Sequence, residues 1–391
     1  MIRIKKKIES VIMSDDDNGY TWFAPFLSMA SKVYGGAAKL RRTFYNSGIF
    51  ESKRLPCFII SIGNIVVGGT GKTPMTMYVA ETAEQWGYKT VIISRGYKGK
   101  AEMRGGIVSD GRRLLMTPEA AGDEPYMMAA RLKNVPVVVG KDRVKMGRLA
   151  IREFNPDVLV LDDGFQHVKL HRDLDIVLLD YRKPLGNGRL LPRGVLREPV
   201  SALLRAHAII LTKSEGLRDK KTLSLIEKIR SFERKSPVYR AIYDPFVYKV
   251  SKGKKKKFGI NMQGTARHRT ESLAGRTVFA FSGLADNHQF RRTVKSLKCN
   301  LSGFMEFPDH HSYTEKDLNN IRAAAQKNRS DGLVTSEKDY VRFSKNIEWF
   351  DDLFVIGIEI DFGPDKNRFD DFLKDKIKTR GTLDEIVMNG D

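Results

Sequence analysis

Between residues 57 and 213, short apolar runs alternate with stretches whose apolar positions recur every three or four residues. The runs are 57–62, Thr90–Ser94, Pro136–Val139, Asp157–Leu161, Asp175–Leu179 and His207–Thr212. Unbroken aliphatic and β-branched runs of this kind belong to strands buried on both faces. Their alternation with helical segments predicts an α/β, doubly wound, mainly parallel sheet. A second alternation begins near Thr277, with strands at Val278–Phe281 and Gly332–Thr335. Its helix spans 314–327, with Thr314 as N-cap and Asp317 in the first turn. This predicts a second, smaller α/β domain over 275–350. The β-like segments 238–243 and 354–360 flank it and are expected to pair as a two-stranded β linker, a hinge that lets the small domain close over a ligand.

The expected organisation follows. A polar lead-in covers 1–20 and an amphipathic helix covers 21–42. The main domain covers 43–236, and linker strands lie at 237–249 and 354–362. A basic insertion fills 250–272, and a charged peripheral tail covers 363–391. In the N-terminal helix Phe26, Met29, Ala30, Val33 and Ala37 share one face, broadened by Trp22, Phe23, Leu27 and Tyr34, with Lys39, Arg41 and Arg42 next in sequence. Two readings fit: a helix lying in a membrane interface, or one packed on its own domain.

Gly63-Asn64-Ile65-Val66-Val67-Gly68-Gly69-Thr70-Gly71-Lys72-Thr73 lies between the first apolar run and a helical stretch from Pro74 to Trp86. A strand, a glycine-rich loop, Lys-Thr and a helix form the layout of a phosphate-binding P-loop. Glycines let backbone N–H groups turn toward phosphate oxygens, and the helix N-terminus adds partial positive charge. Lys72 is then expected on the β- and γ-phosphates and the Thr73 hydroxyl on Mg²⁺. The strict pattern wants glycine where Val66 stands, so a plain glycine-rich turn is the competing reading.

Composition narrows the partners. The chain has 391 residues, 41% hydrophobic, with 68 Lys plus Arg against 47 Asp plus Glu, a formal charge of +21. Such a balance favours anionic partners: nucleic acid, anionic lipid or phosphorylated substrates. Only Cys57 and Cys299 are present, which excludes a disulfide framework and zinc-ribbon spacing. There is no secretory signal pattern and no apolar run long enough to span a bilayer. No nucleic-acid module or aromatic–basic stacking stretch is found, so no nucleic-acid partner is expected. The lysine-rich stretch 252–257 reads as solvated.

Candidate chemistry clusters at element ends. Leu159-Val160-Leu161-Asp162-Asp163-Gly164 ends a strand in two carboxylates, where a P-loop protein places its Mg²⁺-coordinating acid. His167 and His171 follow at a spacing that suits one helical face, though a polar role is preferred over zinc. Asp123, in Gly122-Asp123-Glu124-Pro125, reads either as a helix cap or as a general base. His310 and His311 sit beside Asp309 in a loop, and a His–Asp pair would tune such a base. Arg95, Arg189, Arg193 and Arg197 are guanidinium candidates for phosphate.

Taken together, these motifs resemble the tetraacyldisaccharide 4′-kinase (lipid A 4′-kinase) family. The resemblance rests on Ile62-Gly63-Asn64 leading into Gly68-Gly69-Thr70-Gly71-Lys72-Thr73-Pro74, on Ser94-Arg95-Gly96-Tyr97 and on Gly122-Asp123-Glu124-Pro125. It continues through Asp162-Asp163-Gly164-Phe165-Gln166-His167 and Leu191-Pro192-Arg193-Gly194-Val195-Leu196-Arg197-Glu198-Pro199 to Asp309-His310 and Ser336-Glu337-Lys338-Asp339. It implies transfer of the ATP γ-phosphate to the 4′-hydroxyl of a tetraacylated glucosamine disaccharide 1-phosphate. It implies a monomer bound peripherally to the cytoplasmic face of the bacterial inner membrane through the N-terminal helix. It further implies Asp123 as base assisted by His310, and Lys72, Thr73 and Asp162 serving ATP and Mg²⁺. Asp163, His167 and Arg197 match family positions near the reacting phosphates, and Asn64 and Arg95 match its substrate-side motifs. For Glu337-Lys338-Asp339, nucleotide contact is the expectation. The competing function is a P-loop GTPase or ATPase switch with a protein partner.

Overall fold

The computed structural model describes residues 24–213, 227, 236–250, 270–343 and 352–388. The lead-in 1–20, Trp22, Phe23 and all but the ends of the 250–272 insertion lie outside the described residues. In chain order the first elements are α1 (Ala24–Asn46), β1 (Phe58–Gly63), α2 (Lys72–Gln85), β2 (Thr90–Ser94), β3 (Gly106–Ser109), α3 (Pro118–Ala121), α4 (Asp123–Arg131) and β4 (Val137–Val139). Next come α5 (Arg143–Phe154), β5 (Val158–Asp162), β6 (Leu174–Asp180), β7 (Ala208–Thr212), β8 (Val238–Arg240) and β9 (Ile242–Val250). The chain ends with β10 (Thr277–Ser282), α6 (Asn287–Ser296), β11 (Asn300–Glu306), α7 (Glu315–Lys327), β12 (Gly332–Ser336), α8 (Glu337–Phe343), β13 (Leu353–Asp361) and α9 (Lys366–Met388).

The chain divides into two compact units. The first comprises Met1–Lys72, Asp157–Ile242 and Asp361–Asp391. Its strands run in the order β5-β1-β6-β7-β8, each neighbouring pair parallel. Every residue of β1, β5 and β7 is buried, as expected for strands covered on both faces. Ile65, Phe165, Val177, Leu179, Leu196, Leu203 and Ile209 pack as one core cluster. The stretch expected to be a peripheral tail is instead helical: α9 buries Phe369 and Leu373 completely. Charged residues between those apolar positions hid the helical face.

The second unit comprises Thr73–Pro156 and Tyr243–Ile360. Strands β3, β4 and β2 are neighbours in that order. A five-stranded sheet runs β11-β10-β12-β13-β9, with β10, β11, β12 and β13 mutually parallel. The flanking segments do not form a separate two-stranded linker: 238–240 is β8 and pairs with β7, while β9 lies beside β13 as the edge of this five-stranded sheet, which offers the strand more partners than a lone pair would. Helix α7 begins with Thr314 in a capping box with Asp317, which satisfies two otherwise orphan N–H groups.

Helix α1 divides its faces in an informative way. Leu27 and Ser31 are buried. Ser31 Oγ donates to the Leu190 carbonyl at 2.9 Å and accepts from the Arg193 N–H at 3.0 Å. A Cβ at Gly35 would lie 2.6 Å from Leu190 Cδ1, so the 27–31–35 stripe is the docked one. Of the stripe singled out from the sequence, Phe26, Met29 and Val33 face outward and are exposed, while Leu27 is buried. No helix among the described residues is long and apolar enough to cross a membrane.

Candidate active site

In the first unit the chain leaves β1 at Gly63, and the glycine there is required. A Cβ would sit 2.4 Å from Phe165 Cβ. Ile65, Val66 and Val67 then run extended beside 195–197: Val66 bridges Leu196 antiparallel, Val67 N–H donates to Val195 O at 2.8 Å, and Arg197 N–H donates to Ile65 O at 2.8 Å. Val66 is buried and belongs to the Ile65–Leu196–Phe165 cluster. Its strand-like pairing explains why a β-branched residue stands where the strict pattern has glycine. Positive φ is needed only later, at Gly68 (121°) and Gly71 (86°), positions where glycine adopts φ > 0 at no steric cost.

The second half of the loop is braced from behind. Asn64 is buried, and its amide donates to Thr70 Oγ1 at 2.8 Å. Gln166 donates to the Asn64 carbonyl at 2.8 Å. Thr212 Oγ1 donates to Thr70 O at 3.0 Å, and Lys213 Nζ donates to Gly69 O at 2.7 Å and to Asp180 at 2.8 Å. With the Thr70 carbonyl so engaged, the trans peptide turns the Gly71 N–H the opposite way. Burial pushes the Asp180 carboxyl up, but Arg182 and Lys213 outweigh it and hold it below its usual value. Asp180, Thr212 and Lys213 were missed by sequence reading. Their signal was position: they close the carboxyl ends of parallel strands, where ligands bind in open α/β sheets.

Asp163 sits just past β5 with φ of 51°, a left-handed conformation that Asp tolerates. Arg197 Nη1 donates to both of its oxygens at 2.9 Å, and Lys72 Nζ lies 3.7 Å away. So Lys72, Asp163 and Arg197 meet. Asp162, the last residue of β5, is buried. The 164–171 stretch is a series of turns, not a helix, so the four-residue spacing of His167 and His171 places them on no helical face. His171 lies 3.7 Å from Asp173, and the His167 carbonyl accepts from Arg172 at 2.8 Å.

In the second unit Asp123 opens α4 as its first residue, behind Gly122 with φ of 88°. The N-cap position belongs to Gly122 and Asp123 is already helical, so Asp123 is not the capping residue. Its carboxylate is spent elsewhere. Oδ2 receives His310 Nδ1 at 2.9 Å and Arg342 Nε at 2.8 Å. Burial pushes this carboxyl up, yet the His310 hydrogen bond and the Arg342 guanidinium hold it below the ordinary carboxylate range. His310 occupies a left-handed conformation, φ 63°, which costs on the order of 1–3 kcal/mol and persists only where its surroundings impose it. Its ring meets the edge of Tyr97 at 5.9 Å. Arg95 pairs with Glu102 at 2.7 Å, a half-exposed guanidinium.

The Glu337-Lys338-Asp339 motif also finds its neighbours here. Lys338 Nζ lies 3.2 Å from Glu124 and 3.8 Å from Asp309. Asp339, completely buried, accepts from Gly283 N–H, Tyr313 OH, Ser336 Oγ and Arg342 Nη1. Glu337 lies 3.5 Å from Arg131. Arg342 escaped sequence reading because an arginine within a short helix carries no motif of its own.

Two properties of this arrangement bear on chemistry. The loop from Gly68 to Lys72 presents backbone N–H donors and the Lys72 ammonium suited to phosphate, and the Thr73 hydroxyl and the Asp162 carboxylate are each hard oxygens of the kind Mg²⁺ takes. The second unit holds a carboxylate clamped on one oxygen only. Comparison with known proteins identifies the family. Residues 23–378 match the family model described as tetraacyldisaccharide-1-P 4′-kinase, LpxK. A tetraacyldisaccharide 4′-kinase of Desulfatibacillum aliphaticivorans is 38% identical over 97% of this chain and 99% of its own. One from Syntrophus aciditrophicus is 40% identical over 82% and 85%. The crystal structure of LpxK from Aquifex aeolicus in complex with ATP superposes with a TM-score of 0.69, at 32% identity, covering 91% of this chain and 98% of that one. Matches of this extent show that the chain belongs to the tetraacyldisaccharide-1-P 4′-kinase family.

Proposed function

We infer that the chain transfers the γ-phosphate of ATP to the 4′-hydroxyl of a tetraacylated glucosamine disaccharide 1-phosphate, and that the residues gathered above carry the reaction. It is a lipid kinase, with an alcohol as phosphoryl acceptor; the family assignment disfavours a nucleotide switch. The observation that carries the site assignment is the Asp123–His310 contact, formed across 187 residues of sequence at 2.9 Å. Phosphoryl transfer is mostly positioning and charge stabilisation, so a carboxylate of modest basicity suffices.

In this reading the N–H groups from Gly68 to Lys72 and the N-terminus of α2 cradle the triphosphate. Lys72, resting near Asp163 at 3.7 Å, moves to the β- and γ-phosphates. Arg197 takes up charge that spreads over the transferring group. Thr73 and Asp162 would hold Mg²⁺, which when bound would supply charge neutralisation on the phosphates. Asp123 Oδ1 accepts the 4′-hydroxyl proton as the oxygen attacks phosphorus, while the bond from phosphorus to the β–γ bridging oxygen breaks and ADP leaves. His310, donating to Oδ2, fixes the carboxylate and its charge. His167, Arg95 and Asn64 belong to the surroundings of these groups, Asn64 as the brace of Thr70.

The membrane part of the reading rests on α1. Its outward stripe of Phe26, Met29 and Val33, with exposed Lys32, Lys39 and Arg41 beside it, has the makeup of an interfacial helix. The same helix reaches Arg197, whose carbonyl accepts from Tyr34 OH at 3.0 Å. This supports peripheral attachment to the cytoplasmic face of the inner membrane, where the acceptor lipid resides. Mass spectrometry of lipid recovered after incubation with ATP, Mg²⁺ and the disaccharide 1-phosphate tests the proposal. A product one phosphate heavier is expected with wild type and not with Asp123→Asn. Nucleotide hydrolysis with no phosphorylated lipid would refute it.

A further inference from the structure

A carboxylate serves as a base only if one oxygen stays available and the group holds one orientation. In this protein both fixed contacts of Asp123 fall on Oδ2, from His310 Nδ1 and Arg342 Nε. Arg342 is itself immobilised. Its side chain is only 5% exposed, and its Nη1 donates to the Gly283 carbonyl and to Asp339 Oδ1, both at 2.9 Å. Asp339 is tied in turn by three further donors: Gly283 N–H, Tyr313 OH and Ser336 Oγ. The Gly283 carbonyl also receives the His310 N–H, at 3.3 Å. One backbone residue therefore sets both partners of the carboxylate. A Cβ at Gly283 would lie 2.9 Å from Pro308 O and 3.2 Å from Asp339 Oδ1, so no side chain fits there without displacing them.

The far ends of the same two helices are joined as well. Arg131, the last residue of α4, lies 3.5 Å from Glu337, the first of α8. Arg131 also donates to the Ile358 carbonyl and to Glu359, both at 2.9 Å, and its guanidinium stacks 4.6 Å over Phe246. Both ends of α4 are thus tied to α8 by ion pairs, Asp123 to Arg342 and Arg131 to Glu337, which fixes Asp123 against Arg342.

We propose that Arg342, anchored by Asp339, is a positioning residue for phosphoryl transfer: it holds Oδ2 of Asp123 so that Oδ1 is the oxygen left to take the acceptor proton. The Ser336-Glu337-Lys338-Asp339 motif is then a mount for the base and not a nucleotide contact. The inference rests on Asp123 being the base. The charged groups around that carboxylate are Glu124 on its own helix, Asp309 and His310 in the preceding loop, and Lys338, Asp339 and Arg342 on α8, with Tyr97 against the His310 ring. Among them Arg342 is the guanidinium in direct contact, so removing it leaves Asp123 easier to protonate.

The test is a pH profile of kcat for Arg342→Gln and Arg342→Lys, with the ATP KM measured in parallel and folding checked by thermal melting. For Arg342→Gln, kcat is expected to fall about 10²-fold with the ATP KM within about threefold of wild type, and its acidic limb to move up by about one pH unit. Arg342→Lys keeps the charge and loses the two-point geometry, so its limb stays near wild type while kcat falls about tenfold. Asp339→Asn, which loosens the anchor and leaves the guanidinium in place, is expected to lower kcat in the same direction by less. If Arg342→Gln fails to fold, the comparison of Arg342→Lys and Asp339→Asn carries the test. Unchanged kcat in both arginine variants, or equal losses in both with no movement of the limb, would reduce Arg342 to a fold strut and overturn the proposal. Asp123→Asn separates the two levels. If it retains turnover, the base assignment itself falls; if it is inactive while the Arg342 variants are silent, only the positioning role falls.

Discussion

Replacing Phe26, Met29 and Val33 together with serine separates membrane attachment from folding, because the structure has already sorted the residues of α1. These three side chains are 59%, 62% and 69% exposed. Full burial of such a side chain is worth about 1.5–3 kcal/mol. At these exposures each retains about 1–2 kcal/mol to be gained on entering the acyl boundary, or about 3–6 kcal/mol for the three. At about 1.4 kcal/mol per decade this is roughly two to four decades in partitioning. The basic residues alongside add about 1 kcal/mol each near an anionic surface, and that part alone weakens with salt. The assay is co-sedimentation with vesicles of phosphatidylglycerol and phosphatidylethanolamine over a salt series. The triple variant is expected to lose apolar attachment, to keep its melting temperature, and to phosphorylate acceptor dispersed in detergent at the wild-type rate while failing on acceptor in vesicles. Leu27→Ser is the control. Leu27 is 6% exposed, so its replacement is expected to cost about 2–5 kcal/mol of stability and to leave partitioning of the folded fraction unchanged. Wild-type sedimentation of the triple variant, or a melting temperature as low as that of Leu27→Ser, would refute the division of faces and return the outward stripe to the protein interior.

Three further predictions follow from the site. Lys72→Ala is expected to lower kcat/KM for ATP by about 10²–10³-fold, the range for a charge stabiliser removed from a transition state. Melting should be nearly unaffected, because the Lys72–Asp163 pair is partly exposed at 3.7 Å and such pairs are worth little; steady-state kinetics and calorimetry check both halves. Val66→Gly restores the strict loop pattern, yet it should destabilise by about 2 kcal/mol or more by emptying a buried site and loosening an extended segment, with no gain in nucleotide affinity by titration calorimetry. Gly122→Ala places a Cβ at φ 88° and 3.0 Å from the Tyr97 carbonyl. It is expected to cost about 1–3 kcal/mol in unfolding free energy and to depress kcat more than the ATP KM, because the residue it shifts is Asp123.

Sequence reading reached the strands because their signal is local. Ile59 and Ile60, Leu159 and Leu161, and Ile209 and Ile210 are each hidden on both faces, so apolar runs alone marked them. It reached the phosphate loop because the Gly-Lys-Thr spacing is local too, although only the structure explains Val66, through its pairing with Leu196. Elements with a mixed face were less legible. β11 is only half-buried along its length, and α9 interleaves Phe369 and Leu373 with lysines and aspartates, so neither announced itself by hydropathy. In α1 the apolar stripe was found and its orientation left open, since periodicity gives a face and not what it faces.

What the sequence could not convey is the difference between a residue's type and its attachment. Asp123 at the start of a helix reads as a cap, and a cap would hold its carboxylate against the first turn. The structure instead sends it to a histidine and an arginine 187 and 219 positions away. That distinction decides the chemistry. A capping carboxylate spends its lone pairs on backbone N–H groups, whereas this one is gripped at a single oxygen. The same grip that depresses its basicity also fixes its direction, and for phosphoryl transfer the second effect outweighs the first. The loose transition state asks little proton abstraction of the base, while a misplacement of about 1 Å in a positioned group can cost about 10²-fold. As the proposed base, an aspartate held firmly below its usual pKa by Arg342 and His310 suits such a reaction better than a more basic one free to rotate.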